Sequence, residues 1–389
     1  MARVAMITTG YPHRGDLVAG SFVRAMARAL VARGHGVSVA CAARRAGDGF
    51  DAPIADDGVT VEAARYLFGE TFYGAGAPDA LGLGGGGGRW RARLGALDAV
   101  RALSFAAARV IEGSDAVVSH FALPCGAIAG ALRGARRHVA VVHGTDGWLL
   151  ARMPVAAQRA LLRRASLVWY SHDALREAVA HPAEVPSAVR PMGWEPMHEA
   201  VSSASRRGPL RVAMVSRLVP VKRVDRAVEA VGALASKGVA VTLTVAGDGP
   251  LRSSLEALAS RVAPGRVRWL GAVDARARDA LLGASNVFLH TAGAIEGGRT
   301  EGAPVAVLEA MGAGLAVVAC DAGGVRGLLG DAGLVTRAAA TPKELADTLD
   351  SLTDEALRAS LGERARGRAW PLRWASTAAW LEGALGLGS

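Results

Sequence analysis

The sequence predicts an α/β protein made of two Rossmann-like domains, each built on a parallel sheet. Residues 3–8 (RVAMIT) read as a strand, residues 20–33 as a helix with Phe22, Met26 and Leu30 on one apolar face, and residues 37–42 as a second strand after the Gly34-His35-Gly36 break. A strand, a helix and a strand in that order make a βαβ unit and therefore a parallel sheet. The same alternation restarts near Arg211, after residues 186–209 (PSAVRPMGWEPMHEAVSSASRRGP) lose all periodicity and gather Pro, Ser and Arg. At 389 residues the chain exceeds one ordinary core and suits two of under ~200 residues each. The expected division is a first domain over 1–190, a linker over 191–209, a second domain over 210–369, and a last helix near 370–389.

Composition is that of a globular protein, 51% hydrophobic and 21% charged. No run of 18 apolar residues occurs, and the opening ARVAMITTG reads as a strand rather than a signal peptide, so a soluble, cytoplasmic protein is expected. Cys41, Cys125 and Cys320 are scattered and odd in number, which points to neither a disulfide framework nor a metal site. Lys plus Arg number 45 against 35 Asp plus Glu, a net charge of +10. A basic surface of this kind suits anionic lipid or nucleic acid. The densest stretch, residues 152–164 (RMPVAAQRALLRR), reads either as a membrane-surface helix at the inner face or as a solvated helix face. Aromatic residues are 5% of the chain and do not interleave with the basic ones, so nucleic acid is not expected as a partner.

Along the first domain, the loop TTGYPHRGDLVAGS holds glycines but no G-x-G-x-x-G, and no acidic residue clearly closes the second strand, which argues against a dinucleotide cofactor. Residues 48–57 and the glycine run 84–88 read as loops, residues 91–112 as a helix, 116–119 as a strand and 124–132 as a helix. His120 follows a strand, where open α/β sheets place ligands. His143 does so more clearly: the buried strand 139–142 runs directly into HGTDGW, whose glycines allow close backbone approach and whose imidazole can both give and take a hydrogen bond. Residues 167–171 and 189–191 complete the sheet.

In the second domain the strand 211–216 leads to RLVPVK and a helix over 224–236. Arg217 and Lys222 are two cations just past a strand end, a forked guanidinium and a point charge suited to a diphosphate; the plain alternative is two surface cations. The strand 239–246 ends in GDGP before a helix over 251–262, residues 267–270 form a strand ending at Gly271-Ala272-Val273, and Asp274 is placed to cap a helix running to Ala284. After a strand at 287–290 comes RTEGAPVAVLEAMGAGLAVVACDAGG, residues 299–324. Pro304 suits a helix's first turn, Gly314 its end, and LAVVAC a buried strand. The start of that helix suits a phosphate, and Glu301 and Glu309 flank it as acceptor-only carboxylates, a pattern that suits a ligand with hydroxyls on both sides of its phosphates; the plain alternative is an exposed loop Glu and a helix Glu on a solvated face. Thr341 is expected to cap a C-terminal helical region.

This last stretch, EG-x-P-x4-EAM-x-x-G followed by a strand and GG, resembles the Glu-x7-Glu signature of the retaining GT-B glycosyltransferases of the group 1, family 4 type. SHFALPCG and VVHGTD resemble the histidine motifs of the same family, SRLVPVK its diphosphate clamp, and PMGWE the end of its first domain. The resemblance covers nearly the whole chain and implies the GT-B fold, two Rossmann-like domains facing a central cleft. By match it implies that Glu301, with Gly302, Ala303 and Pro304, meets the donor sugar and phosphates, that Glu309 holds the ribose, and that His143 lies beside the reacting face of the sugar. Arg217 and Lys222 would then bind the diphosphate, Gly20 lie near it, and Gly271 and Val273 approach the base. His120 and Asp146 are weaker candidates on the acceptor side. Departures from the pattern are Ser216, Arg223 and Arg326. The implied reaction is transfer of a sugar from a nucleoside-diphosphate sugar to an acceptor hydroxyl with retained configuration, in cell-surface glycan or glycosylated-metabolite synthesis, lipid-linked saccharides being among the acceptors. No Asp-x-Asp occurs, so neither a metal nor another cofactor is expected, the cations and the helix start carrying the leaving charge. The alternatives are a sugar-nucleotide epimerase or a phosphorylase of the same fold, and a basic nucleic-acid or membrane-surface binder.

Overall fold

The structure is a computed structural model that describes residues 1–12, 20–44, 55–66, 89–197, 206–293 and 304–387. Residues 13–19, 48–54, the glycine run 84–88, and Glu301, Gly302 and Ala303, all read above as loop or site, lie outside the described residues. The chain divides into two compact units: Met1–Arg190 with Trp374–Ser389, and Pro191–Arg373.

In the first unit the strands are β1 (Arg3–Thr8), β2 (Gly36–Arg44), β3 (Ala55–Asp56), β4 (Val59–Tyr66), β5 (Ala116–His120), β6 (Arg137–Val142), β7 (Leu167–Tyr170) and β8 (Ser187–Val189). They form one sheet in the order β3-β4-β2-β1-β5-β6-β7-β8. Every neighbouring pair is parallel except the β3–β4 hairpin. The Val-rich central strands are buried on both faces, as helices on each side of a parallel sheet require. Those helices are α1 (Ser21–Val31), α2 (Arg89–Glu112), α3 (Ala127–Leu132), α4 (Gly144–Leu150), α5 (Val155–Leu162) and α6 (Asp173–Ala178). The stripe Ala99, Leu103, Ala106 and Ile111 of α2 packs against Ala5, Ile7, Ala40 and Val117 of the sheet.

Three expectations are corrected here. The loop read through residue 57 ends earlier, because Ala55 and Asp56 pair with Thr60 and Val59, and Asp56 accepts from Tyr11 (3.0 Å) and from Arg24 and Arg28. The basic stretch 152–164 is not one helix: α4 ends at Leu150 and α5 starts at Val155, since Pro154 lacks an N–H and disfavours helix in the residue before it. The helix expected from Pro124 starts at Ala127, after an irregular turn over Ala122–Gly126.

In the second unit the strands are β9 (Leu210–Val215), β10 (Val241–Ala246), β11 (Val267–Gly271), β12 (Val287–His290), β13 (Ala316–Cys320) and β14 (Leu334–Thr336), in the order β11-β10-β9-β12-β13-β14 and all parallel. Its helices are α7 (Val224–Ser236), α8 (Arg252–Val262), α9 (Ala275–Ala284), α10 (Val305–Gly312), α11 (Val325–Leu329), α12 (Pro342–Asp350) and α13 (Glu355–Ala369); the last helix, α14 (Trp374–Leu385), belongs to the first unit. Trp194, from the aperiodic stretch, is buried in the second unit's core, where its indole N–H donates to the Ala369 carbonyl at 2.7 Å. A Cβ on Gly312 would lie 2.2 Å from that ring, so only glycine lets α10 pass it. In α14, Glu382 accepts from Arg33 and contacts His35 at 3.2 Å, tying the helix to the end of α1.

Caps behave as the sequence indicated. Thr341 and Glu344 form a reciprocal capping box. Asp274 accepts from the Ala277 N–H at 2.8 Å. Asp274→Ala is expected to cost about 1 kcal/mol, read as a lower urea midpoint of the second unit. Among the described residues no helix is long and apolar enough to cross a membrane.

Candidate active site

Both sheets have a point where successive strands depart in opposite directions, β1 against β5 in the first unit and β9 against β12 in the second. At such a point the loops leaving the carboxyl ends diverge and open a crevice, the usual ligand site of open α/β sheets.

In the second unit the loop after β9 carries Arg217 and Lys222. Its backbone is fastened to the turn after β10: Ser216 N–H donates to the Ala246 carbonyl and Leu218 N–H to that of Asp248, each at 2.9 Å. The crossing is so close that a Cβ on Gly247 (φ +140°) would stand 1.8 Å from the Ser216 carbonyl oxygen, and one on Gly249 (φ +159°) 2.5 Å from that of Leu218. The GDG sequence therefore holds exposed Arg217 in place from behind. Lys222 is half-buried, and its carbonyl accepts from the Thr291 hydroxyl at 2.9 Å while that of Val221 accepts from Gly293 N–H at 3.0 Å, joining the β9 and β12 loops. Burial and then the nearby Arg217 cation push the Lys222 ammonium down to about 7. His290 at the end of β12 is buried and pushed down to about 3, chiefly by desolvation and then by Lys222, so it is neutral. An anion bound beside these two cations would favour the charged form of Lys222.

Arg223 adopts a left-handed conformation, φ +48° and ψ +43°. Glycine reaches that conformation without the strain a side chain brings; the Arg223 guanidinium is engaged with Asp225 at 2.8 Å. Arg326, another departure, pairs with Asp321 at 2.8 Å. Pro304 is the cap of α10 rather than its first helical residue, its carbonyl accepting from Val307 (3.1 Å) and Leu308 (3.4 Å). Glu309 follows inside α10 with its side chain 13% exposed. Burial pushes this carboxyl up to about 7, while the Arg278 guanidinium, 2.5 Å from Oε1, works against that. Sequence reasoning missed Arg278: one more arginine on α9 in an arginine-rich chain gives no cue, and the contact spans 31 positions. Gly271 (φ +72°) ends β11 and accepts from Gly247 N–H at 2.7 Å, which brings its turn beside the Arg217 loop. Val273 packs against the core cluster that includes Leu308.

In the first unit, Gly20 (φ +66°) starts α1 where the chain passes Gly10, whose carbonyl oxygen a Cβ would approach to 2.1 Å. The buried face of α1 is Val23, Met26, Ala27 and Leu30; Phe22, expected among them, is half-buried and lies with its ring centroid 5.5 Å from His120 and 5.0 Å from His143. His120 Nδ1 and His143 Nε2 are 3.2 Å apart. Burial pushes both imidazoles down, His143 to about 3, so both are neutral at pH 7. Phe121 between the loops sits at φ +73° and ψ +113°, a conformation rare for an aromatic residue and one that stores strain next to these histidines. Asp146 is buried and binds backbone on both sides, Oδ1 accepting from His143 N–H at 2.9 Å and Oδ2 from Ala122 N–H at 2.6 Å. Desolvation pushes its carboxyl up to about 7, against the pull of those N–H groups. Its geometry is that of a tie between the loops after β5 and β6.

Residues 199–368 match the family model described as glycosyl transferases group 1. Over its whole length the chain is similar to sucrose-phosphate synthase from Thermosynechococcus elongatus, at 19% identity and TM-score 0.72, covering 100% of this chain and 99% of that one. It is similar also to Anabaena Alr3699/HepE in complex with UDP-glucose, at 18% identity and TM-score 0.69, covering 100% of both chains. The fold is the GT-B fold. Among curated proteins, the amylovoran biosynthesis glycosyltransferase AmsK of Erwinia amylovora is 30% identical over 234 residues, 56% of this chain and 55% of that protein. The match thus spans about half the length of that relative. On the GT-B fold, the Arg217–Lys222 loop, the start of α10 and the turn at Gly271 all leave the carboxyl edge of one parallel sheet.

Proposed function

We propose that this chain is a glycosyltransferase that moves a sugar from a nucleoside-diphosphate sugar to an acceptor hydroxyl with retained configuration. The observation that carries the reading is the pair Arg217 and Lys222, a forked guanidinium and a point charge held on one anchored loop at the strand-order switch of the second unit. A diphosphate, with oxygens on both phosphates, suits that fork and point charge together. The N–H groups of Val305 and Ala306, ahead of the first intrahelical bonds of α10, face the same anion, and Glu309 accepts from ribose hydroxyls. As the bond to the sugar breaks, charge builds on the leaving diphosphate, and the same cations stabilise it without a metal. We assign the sugar contacts to Glu301 and to His143, whose neutral imidazole hydrogen-bonds a hydroxyl rather than delivering a proton at pH 7. We assign Gly20 and the Gly271–Val273 turn to the donor and His120 to the acceptor.

Anabaena Alr3699/HepE carries UDP in one structure and UDP-glucose in another, a further neighbour carries UDP-2-fluoro glucose, and the relative in Erwinia is an amylovoran biosynthesis glycosyltransferase, which supports a UDP-sugar donor. A lipid-linked acceptor would bring the protein to the inner membrane face from the cytoplasm. The test is calorimetric titration with UDP, GDP, ADP and dTDP in the presence of EDTA. UDP is expected to bind the wild type, with Arg217→Ala and Lys222→Met each weakening it by about tenfold or more, the worth of one charge-assisted contact. A diphosphate that binds both variants as well as the wild type, or needs a divalent ion to bind at all, would sink the reading.

A further inference from the structure

The donor-side carboxylate Glu309 is not alone. Arg278 on α9 places Nη1 2.5 Å from Glu309 Oε1. Its other two nitrogens, Nε at 3.1 Å and Nη2 at 2.8 Å, both donate to Asp279 Oδ1. The guanidinium is therefore fixed from one side by its neighbour in sequence and presents its remaining edge to a residue on another helix. All three side chains are largely buried, at 20% exposure for Arg278, 11% for Asp279 and 13% for Glu309. A planar fork held at two points is an orienting device, which a point-charge lysine would not be.

The need for such a device follows from where Glu309 sits. A carboxyl group removed from water favours its neutral acid form, and a neutral acid has given up a lone pair to its proton and presents a donor in place of an acceptor at that oxygen. Elements packed against α10 offer it little else. Strands β12 and β13 bring Phe288, Val317 and Ala319, and α13 brings Ala365 and Ala369, all apolar members of one core cluster. His290, at the end of β12, is neutral and is influenced by Lys222. The charged groups acting on Glu309 among the described residues are Arg278, which favours the carboxylate, and Asp279, which opposes it.

We infer that Arg278, braced by Asp279, is a positioning residue that keeps the Glu309 carboxylate ionised, occupies Oε1, and leaves Oε2 to accept from the ribose hydroxyls of the donor. The inference rests on the donor-site reading above and adds to it a residue outside the motifs that suggested the site. Arg278 itself touches Glu309, not the nucleotide.

The experiment compares the affinity of UDP with that of 2′,3′-dideoxy-UDP between pH 5.5 and pH 9. Both ligands carry the same base and diphosphate, so their ratio cancels the titration of Lys222 and of the ligand phosphate and reports the hydroxyl contacts alone. For the wild type the ratio is expected to reach about tenfold or more at pH 8.5, the worth of hydrogen bonds to a charged acceptor, and to fall toward one as the pH drops through about 7, where Glu309 takes up its proton. In Arg278→Met that fall should move up by about one pH unit or more, so that at pH 7.5 the variant no longer prefers the ribose. Arg278→Lys, which keeps the cation, should restore the wild-type midpoint, and Glu309→Gln should give a low ratio at every pH. A purely structural Arg278 would weaken both ligands equally and leave the ratio and its midpoint unchanged; that result, in an Arg278→Met protein of unchanged thermal midpoint, overturns the inference while the donor site stands. Should Arg278→Met prove unstable, Arg278→Gln, closer in shape, is read in the same way. A wild type that binds no diphosphate overturns the donor-site reading and the inference with it.

Discussion

Replacing Gly247 with alanine is expected to abolish nucleotide binding and to destabilise the second unit by about 3–5 kcal/mol, the combined order of a strained backbone and an overpacked contact. Two separate facts make this site severe. The backbone at Gly247 lies at φ +140°, which alanine reaches only with strain, and the new methyl carbon would stand 1.8 Å from the Ser216 carbonyl oxygen. Neither partner can give way cheaply, since both are backbone. The turn must separate from the loop, and the hydrogen bonds from Ser216 and Leu218 that hold Arg217 in place go with it. Urea unfolding combined with UDP titration measures both effects. Gly265→Ala is the control, because that glycine is also left-handed, at φ +70°, but has open space around its missing Cβ; its cost should stay near 1 kcal/mol with binding unchanged. Wild-type affinity in Gly247→Ala would remove the anchored loop from the binding site.

Acidification from pH 7 to pH 5 should destabilise the first unit while leaving the second nearly as it was. His138 and His172 are pushed down to about 4 and His143 to about 3, all mainly by burial, and His120 moves in the same direction. These folded-state values lie below the unfolded value near 6.5, so the unfolded chain takes up protons first as the pH falls, and stability falls with it. Each such histidine costs up to about 2 kcal/mol at pH 5. Asp146 acts the other way: raised to about 7, it gains its proton in the folded state first and offsets roughly one histidine. The balance for the first unit is a loss of about 3 kcal/mol or more. In the second unit His290, at about 3, is opposed by Glu309, at about 7, and the two nearly cancel. Hydrogen exchange resolved along the sequence at each pH separates the units. Loss of protection in the second unit first, or in both together, would contradict the assignment of buried neutral histidines to the first.

Much of the chain could be read locally. Helix α7 has the bounds its periodicity gave, and Asp274, Thr341 and Gly314 act where cap and turn chemistry put them, because each works through its own neighbours in sequence. Strand β4 was not seen: Glu62 and Arg65 interrupt its apolar alternation, and Glu62 is neutralised by Arg109 from α2, 47 positions away. Trp194 looked like part of a linker because composition cannot show that Gly312 has left room for an indole. Arg223 looked like a departure without a reason until its left-handed backbone showed what glycine would do there.

By itself, then, the sequence determined the central strands of both sheets, several of the helices between them, the glycines that turn them and the charged residues that follow them, since propensity, capping and hydrophobic period act over a few residues. Only the tertiary structure decided the strand order, and with it the two switch points, one with Arg217 and Lys222 on the loop leaving β9 and the other with Phe22, His120 and His143 drawn together. It alone paired Arg278 with Glu309 and turned Asp146 inward to tie two loops. Contacts of that kind join residues far apart in the chain, and they form only when buried surfaces and backbone hydrogen bonds are satisfied throughout a unit at once.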